Sequence, residues 1–345
     1  MGMVLVSAGA TTSAALTFTP ATGYTVSEVW SGADGAHFAT EGGAFYVYGA
    51  DDVGGGQFEN VVRMFDGTTT VEIARSSPYA ENTLFPDAIT VVNGSVYWTQ
   101  AQGYPDYHAS LYKTWFDGGE WNTTTIFDDS AEIGVFSLST DAESVFGVGL
   151  GTGNSNVAFY LDGADNYNVL ADIPADGSGG SGFDPAGNFY AGAWSVGGDW
   201  DSHMYEFSAQ QVADRLEGTQ STPYAAGDAV NDYLAPGNAS TVMESDGADL
   251  FGTVSKPDWS GTDPYAFDLN SGVTTSLGTL SGADTSVSTD MYYRDANVFF
   301  MGKDDWTCGG EAVIYQLVPE PTSLCLLAGG ILLLMRHRED RRRGR

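Results

Sequence analysis

Gly94-Ser95-Val96-Tyr97 is a short turn followed by a β-branched or aromatic pair, and variants of this pattern occur six times along the chain. The other five copies are Gly43-Ala44-Phe45-Tyr46, Glu143-Ser144-Val145-Phe146, Gly187-Asn188-Phe189-Tyr190, Ala248-Asp249-Leu250-Phe251 and Ala296-Asn297-Val298-Phe299. The final residues of successive copies are 51, 49, 44, 61 and 48 positions apart. A regular spacing in this range predicts a propeller or another repeat array.

A second apolar run follows each copy and often ends in an acidic turn. These runs occupy residues 61–67, 111–118, 157–163, 203–207, 265–270 and 313–317. Alternating Tyr, Phe and Val residues predict strands, and turns such as Asp66-Gly67 predict hairpins. A third run comes next, as at 69–74, 124–127 and 273–277, and a further run precedes the copy, as at 36–40 and 88–92. Four strands in each unit are typical of a propeller blade.

The two ends of the repeat region predict how the ring closes. The sixth unit stops at Leu317 after its third strand, while residues 24–32 form a strand-like run ahead of the first unit. If this run supplies the missing outer strand, no edge strand is left exposed there. The sequence therefore predicts an all-β, six-bladed propeller-like body over residues 16–317, closed by an N-terminal strand and carrying a helical insertion at 208–216. An open pair of sheets and two separate β domains are the alternatives.

The composition indicates a folded and strongly acidic body. Hydrophobic residues make up 42% of the 345 positions, which is ample for a core. The net charge is −32, and six of the 13 basic residues lie in the last ten positions. So acidic a body repels phosphate backbones, which excludes nucleic acid as a partner. Cys308 and Cys325 are not expected to pair, because Cys325 lies inside an apolar run.

The C-terminal segment has the charge pattern of a membrane anchor. Residues 322–335 carry no charge, and the basic residues after them are Arg336, Arg338, Arg341, Arg342, Arg343 and Arg345. The run is shorter than the ~20 residues of an ordinary spanning helix, so bilayer thinning and snorkelling arginines must help it to cross. The positive-inside rule places the arginines in the cytoplasm and the body outside. We therefore expect one short transmembrane helix, with a buried core helix as the alternative.

The N-terminal segment has some features of an export signal. Residues 1–15 combine a short apolar patch with small residues at Ser13-Ala14-Ala15, as in the cleavage region of a signal peptide. The basic start is missing, so we interpret the segment as a truncated signal peptide. The alternative is a first strand over residues 4–18.

Val318-Pro319-Glu320-Pro321, the apolar run and the arginine cluster follow one another in the order of a bacterial sorting signal. Residues 318–345 resemble the PEP-CTERM domain. The resemblance implies recognition and cleavage near the motif by an exosortase, a membrane-embedded cysteine transpeptidase of Gram-negative bacteria that make exopolysaccharide. It implies an inner-membrane precursor and then a protein of the cell surface or extracellular matrix. It implies nothing about the activity of the body.

The loops that join the second and third strands of the units form a candidate ligand face. They carry recurring Asp and Trp side chains, namely Asp106, Asp199, Trp200, Asp201, Asp258, Trp259, Asp263, Asp304, Asp305 and Trp306. Clustered carboxylates supply the oxygen ligands that Ca²⁺ prefers, and Trp rings can stack on sugar faces. The sequence thus predicts a face for Ca²⁺ or exopolysaccharide. The alternative is that these residues serve turns and packing.

The sequence contains few signals of catalysis. His37, His108 and His203 lie in different units, and no zinc-protease, serine-hydrolase or phosphate-loop motif occurs. A pair of carboxylates such as Asp106 and Asp201 would suit glycoside hydrolysis. We predict a non-enzymatic surface or matrix protein with no catalytic residue and no cofactor other than Ca²⁺. The alternatives are a carbohydrate-active enzyme and a purely structural coat protein.

Overall fold

The protein is an all-β six-bladed propeller, as the repeat predicts. The computed structural model describes residues 16–80, 84–101, 109–128, 134–150, 156–173, 177–194, 202–235, 244–255, 261–281, 285–304 and 310–320. Within these residues it contains 28 β-strands, one α-helix and one short 3-10 helix. The strands form six sheets of four or five strands, one for each blade, and one two-stranded sheet.

The first three blades follow the chain in order. Two strands precede them, β1 (Thr17–Pro20) and β2 (Tyr24–Ala33). The first blade contains β3 (Gly35–Glu41), β4 (Ala44–Gly54), β5 (Gln57–Phe65), β6 (Thr70–Arg75) and β7 (Tyr79–Ala80). The second contains β8 (Phe85–Val92), β9 (Ser95–Ala101), β10 (Ala109–Asp117) and β11 (Glu120–Phe127). The third contains β12 (Gly134–Thr140), β13 (Val145–Leu150), β14 (Asn156–Leu161) and β15 (Tyr167–Ile173).

The fourth blade carries the predicted insertion. It begins with β16 (Gly177–Phe183), β17 (Phe189–Trp194) and β18 (Ser202–Phe207). The insertion contains α1 (Ala209–Leu216), β19 (Tyr224–Ala225) and a 3-10 helix (Ala226–Asp228), and β20 (Asn231–Ala235) then completes the blade. Ser208 caps α1 through a capping box with Gln211, so this helix is encoded locally.

The last two blades are followed directly by the C-terminal segment. The fifth contains β21 (Glu244–Ser245), β22 (Asp249–Ser255), β23 (Thr262–Asp268) and β24 (Thr274–Ser276). After β25 (Gly278–Ser281) come β26 (Ser286–Arg294), β27 (Asn297–Lys303) and β28 (Glu311–Pro319) of the sixth blade.

The predicted closure by the N-terminal strand is confirmed. β2 pairs antiparallel with β28, from Tyr24 opposite Pro319 to Ala33 opposite Glu311, and so completes the sixth blade. The innermost strands β3, β8, β12, β16, β21 and β26 contact one another in turn, and β26 contacts β3. A second seam, which no sequence pattern predicted, pairs β1 with β25 and buries Phe18.

Five innermost strands contain a register irregularity. The shifts fall between Gly35 and His37, Pro86 and Ala88, Val135 and Ser137, Ser178 and Ser181, and Val287 and Met291. A bulge takes a residue out of the ladder and redirects its side chain. Glycine is needed opposite one of these irregularities, because a Cβ on Gly49 would lie 1.5 Å from the Asp34 carbonyl oxygen. The irregularities determine which side chains meet at the propeller axis.

The acidic turns are hairpin turns whose carboxylates bind their own backbone. Asp66 Oδ1 accepts hydrogen bonds from the N–H groups of Thr68 and Thr69 at 2.8 Å. Asp162 and Asp268 accept equivalent bonds within their turns. Hydrogen bonds from these turns hold the pKa of each of the three carboxyls below its usual range. Part of the negative charge therefore stabilises turns.

One part of the fold expected from the sequence, the C-terminal transmembrane helix, is not supported by the structure. Among the described residues no helix is long and apolar enough to cross a membrane, and α1 has 8 residues. The predicted helix at 322–335 and the arginines at 336–345 lie outside those residues. A 14-residue helix would extend about 21 Å, short of the ~30 Å hydrocarbon core.

Candidate functional site

The predicted ligand face falls largely outside the described residues. This applies to Asp106, Asp199, Trp200, Asp201, Asp258, Trp259, Asp305 and Trp306. Asp263 lies in β23, where its Oδ1 accepts a hydrogen bond from Leu280 N at 3.3 Å. Asp304 follows β27, and its N–H donates to the Glu311 carbonyl at 3.1 Å. These two residues belong to adjacent blades, and ligand binding by the loops stays a prediction.

The start of the predicted sorting motif belongs to the propeller. Val318 and Pro319 are the last residues of β28 and lie opposite Thr25 and Tyr24 of β2. The Glu320 N–H donates to the Gly23 carbonyl at 2.7 Å. Pro321 and the six arginines of the tail lie outside the described residues. The sixth blade thus extends two residues past the predicted boundary at Leu317.

A group of titratable side chains lies at the innermost strands of three blades. His37 follows the irregularity of β3, while Asp87 and Asp290 lie within those of β8 and β26. Asp290 Oδ2 lies 2.8 Å from His37 Nδ1 and accepts a hydrogen bond from Phe38 N at 3.1 Å. Asp290 is 3% exposed, so it forms a buried tie between the last blade and the first. We name His37, Asp87 and Asp290 the channel group.

The fold changes the pKa of Asp87 in the channel group. Burial raises the pKa of Asp87 to about 7, while His37 lowers it and the Asp290 carboxylate raises it. The carboxyl therefore changes its charge near neutral pH. Within the described ranges, no three His, Cys, Asp or Glu side chains are arranged to hold a metal ion.

Tyr292 lies next to the channel group and joins three blades. Its hydroxyl donates to the Ile89 carbonyl of the second blade at 3.4 Å. Its ring meets Phe38 of the first blade edge-on, with the centroids 5.1 Å apart. Burial raises the pKa of Tyr292 well above its ordinary value, so the phenol stays neutral.

All six blades meet around a cavity at the end where the innermost strands turn into the second strands. The cavity has a volume of about 450 Å³. Its lining contains Thr40, Glu41, Gly42, Val91, Thr140, Asp141, Ala142, Phe183, Asp184, Pro185, Gly187, Glu244, Ser245, Tyr293 and Arg294. We name this cavity the channel mouth.

An ion pair between the fifth and sixth blades lies in the channel mouth. Glu244 Oε2 accepts hydrogen bonds from Arg294 Nη1 and, at 2.7 Å, from Tyr293 N. The Glu244 side chain is 10% exposed and the Arg294 side chain 40%, so the guanidinium is the partner that faces the cavity. Burial raises the pKa of Glu244, and the adjacent guanidinium opposes this rise.

The other carboxylates of the mouth are held by neighbouring backbone. Glu41 accepts hydrogen bonds from Asn93 N and Gly94 N at 2.8 Å, which ties the first blade to the turn of the second. Asp141 accepts from Ser144 N at 2.7 Å, and Asp184 binds its own turn in the same way. The mouth therefore contains four fixed carboxylates and one guanidinium.

Neither the channel group nor the channel mouth was predicted from the sequence. The sequence identified His37 only as an isolated histidine, and it did not select Asp87, Asp290, Glu244 or Arg294. A signal was present in the chain, because Asp87 and Asp290 are charged residues beside apolar runs that the repeat assigns to innermost strands.

Comparison with known proteins supports the fold and gives no family. No family model matches the sequence, and no curated protein is similar to it. The resemblance of residues 318–345 to the PEP-CTERM domain therefore stays a prediction. The chain is similar in structure to TolB from Acinetobacter baumannii, at 11% identity and a TM-score of 0.48 over 79% of this chain, but it spans only 63% of the length of that protein.

Two further solved structures match nearly over their full length. One is a putative oxidoreductase (glucose dehydrogenase) from Thermus thermophilus, with 12% identity and a TM-score of 0.52 over 86% of this chain and 100% of that one. The other is the SapL1 lectin in complex with alpha methyl fucoside, with 13% identity and a TM-score of 0.50 over 84% and 97%. At these identities the likeness shows the propeller fold alone.

Proposed function

We propose that the protein is an exported binding protein of the cell surface or extracellular matrix, and that its channel mouth binds a neutral unit of a polysaccharide. The observation that carries this proposal is the convergence of six blades on one cavity of about 450 Å³ that an exposed guanidinium faces. A volume of this size is usual for small-ligand sites.

The chemistry of the mouth favours a ligand rich in hydroxyl groups. Its four carboxylates outnumber the single guanidinium, so an anionic ligand is repelled. The same carboxylates can accept hydrogen bonds from sugar hydroxyls, and Arg294 can donate to a ring or hydroxyl oxygen. Tyr293 and Phe183 are among the residues that line the cavity, and their exposed apolar surface could contact a sugar face. The ligand of the SapL1 lectin, alpha methyl fucoside, belongs to this chemical class.

The test is calorimetric titration of the full chain with the exopolysaccharide of its host and with neutral oligosaccharides prepared from it. The double variant Glu244→Gln/Arg294→Met removes both charges of the ion pair in the mouth and leaves neither partner as an unpaired buried charge. We expect this variant to bind at least about tenfold more weakly, as the loss of a charged hydrogen bond implies.

The matched control is His203→Gln/Asp232→Asn, which removes a partly exposed hydrogen-bonded pair within the fourth blade that does not line the channel mouth. This control should keep the affinity of the mouth. Equal binding by the wild type and the mouth variant would contradict the site, and no binding of any glycan by the wild type would favour a structural coat protein.

We also propose that an exosortase recognises Val318, Pro319, Glu320 and Pro321 and processes the exported chain near them. The support is the order of motif, apolar run and arginines in the sequence. In the host, Pro321→Ala should leave unprocessed chain, whereas Thr322→Ala should not, and mass spectrometry of the C-terminus measures both. Identical C-termini in wild type and Pro321→Ala would contradict the proposal.

A further inference from the structure

A second cavity lies between the second and third blades, beside the channel mouth. Its volume is about 200 Å³. Its polar lining includes Tyr97, Lys113, Glu143, Asp162 and Asp165. None of the residues that line this cavity also lines the channel mouth. We name it the interblade cavity.

Lys113 is the centre of the interblade cavity. Its Nζ lies 2.8 Å from Asp165 Oδ2 and 5.2 Å from the centre of the Tyr97 ring. The Tyr97 hydroxyl donates to Asp165 Oδ1 at 2.9 Å. Both charged side chains remain about a quarter exposed, so ammonium and carboxylate can each reach a ligand. Asp165 is held at φ +62°, a conformation that is uncommon for a residue other than glycine.

The repeat shows that the fold does not require this arrangement. Lys113 lies on the third strand of its blade, opposite the aromatic residue Tyr97. At the same register position the other five blades have Met64, Tyr160, Glu206, Ala266 and Gln316. Five blades thus pack without a cation at this position, so the blade itself does not require Lys113.

We propose that the interblade cavity is a second binding site, which takes a single neutral sugar ring or a polyol of similar size. Lys113 can donate to ligand oxygens, and Asp165 and Glu143 can accept from ligand hydroxyls. The surplus of carboxylates disfavours an anion. The cavity volume is below the 300–1,000 Å³ usual for larger ligands, so only one sugar unit of an oligosaccharide would fit into the cavity. The ligand class is that proposed for the channel mouth, but the two sites share no residue.

The test uses the full chain labelled with ¹³C-lysine, which gives signals from Lys113, Lys256 and Lys303. The probes are D-glucose, D-galactose, D-mannose, L-fucose and mannitol, each titrated to tens of millimolar. We expect at least one probe to shift the Lys113 signal and to leave the Lys256 and Lys303 signals in place. No shift of Lys113 with any probe would overturn the proposal.

Variants separate this site from the channel mouth. Lys113→Met/Asp165→Asn should weaken binding of the active probe about tenfold or more by calorimetry, whereas Glu244→Gln/Arg294→Met should not. Tyr97→Phe removes one hydroxyl and serves if the double variant does not fold. Unchanged affinity in a folded interblade variant would overturn the proposal and leave the channel mouth unaffected. Loss of binding in the mouth variant alone would assign the probe to the mouth.

Discussion

At the residue scale, two aspartates show how the fold sets the charge of a carboxyl. Asp66 is exposed in a hairpin turn, and hydrogen bonds from Thr68 and Thr69 lower its pKa. Asp87 lies in a bulge beside Asp290, and burial raises its pKa to about 7. The side chains are identical, so the difference comes from backbone donors in one case and desolvation in the other.

The raised pKa of Asp87 predicts an unusual pH dependence of stability. The Asp87 carboxyl stabilises the folded state fully at pH values below 3.8, its ordinary pKa. This stabilisation is lost as the pH rises through about 7. Asp87→Asn has no charge to bury, so it should resemble the wild type near pH 4 and be more stable near pH 8 by about 4 kcal/mol, because each pKa unit between 3.8 and about 7 corresponds to about 1.4 kcal/mol. Urea unfolding at several pH values measures this difference.

Asp66→Asn is a control variant whose effect on stability at neutral pH should be opposite to that of Asp87→Asn. The lowered pKa of Asp66 means that its charge stabilises the folded state at neutral pH and that this contribution is lost in acid. Asp66→Asn should therefore be less stable than the wild type at neutral pH and similar to it in strong acid. A loss of stability in Asp87→Asn near pH 8 would show that the channel group favours the charged carboxylate.

At the element scale, the ring is closed by two N-terminal strands with different roles. β2 pairs with β28 over its whole length and completes the sixth blade. β1 pairs with β25 and packs Phe18 edge-on against Phe300, with the ring centroids 4.7 Å apart. The Leu16 carbonyl accepts a hydrogen bond from the Tyr315 hydroxyl at 3.1 Å. The N-terminal residues thus cover the junction of the fifth and sixth blades.

Removing these strands in steps should weaken the ring in steps. A chain that begins at Gly23 loses Leu16 and Phe18, both 5% exposed, and should lose roughly 3 kcal/mol or more of stability. A chain that begins at Gly35 also leaves β28 without its partner, so we expect association through the open edge. Thermal unfolding and size-exclusion chromatography measure these effects against a chain that begins at Leu16. Equal melting temperatures for all three chains would show that neither strand closes the ring.

At the scale of the whole molecule, the propeller holds a large surplus of one charge. The sequence has 45 acidic and 13 basic residues. Hairpin turns fix several carboxylates at the end of the ring where the channel mouth lies, including Asp66, Asp141, Asp184 and Asp268. Each of them helps its own turn, while together they repel one another across the folded state.

Salt should therefore stabilise the protein at neutral pH. Raising the ionic strength from ~0.01 M to ~0.15 M shortens the screening length from about 30 Å to about 8 Å, and we expect the melting temperature to rise. Near the sequence pI of about 4.1 the same step should have little effect, because the net charge is small. Calorimetry at both pH values tests this. A melting temperature that falls with salt at neutral pH would contradict the idea that repulsion dominates.

Much of the architecture could be predicted because the signals were local. Alternating apolar residues and turn residues mark each strand and hairpin, and the copies from Tyr46 to Phe299 give the number of blades. The helix after Ser208 and the closing strand at Tyr24 were readable for the same reason. The transmembrane helix expected at 322–335 is not supported, because no helix among the described residues is long and apolar enough to cross a membrane and a 14-residue run is shorter than the ~20 residues of a spanning helix.

The sequence by itself determined most strands and the six blades, since each depends on residues close together in the chain. It indicated the closing strand because the sixth unit stops at Leu317 without an outer strand. Only the tertiary structure decided the channel group, the channel mouth, the interblade cavity and the seam between β1 and β25. His37 and Asp290 are 253 positions apart, and Glu244 and Arg294 are 50 apart. Such pairs meet only when a closed ring and its bulges bring separate blades to one axis, and no local pattern specifies that geometry.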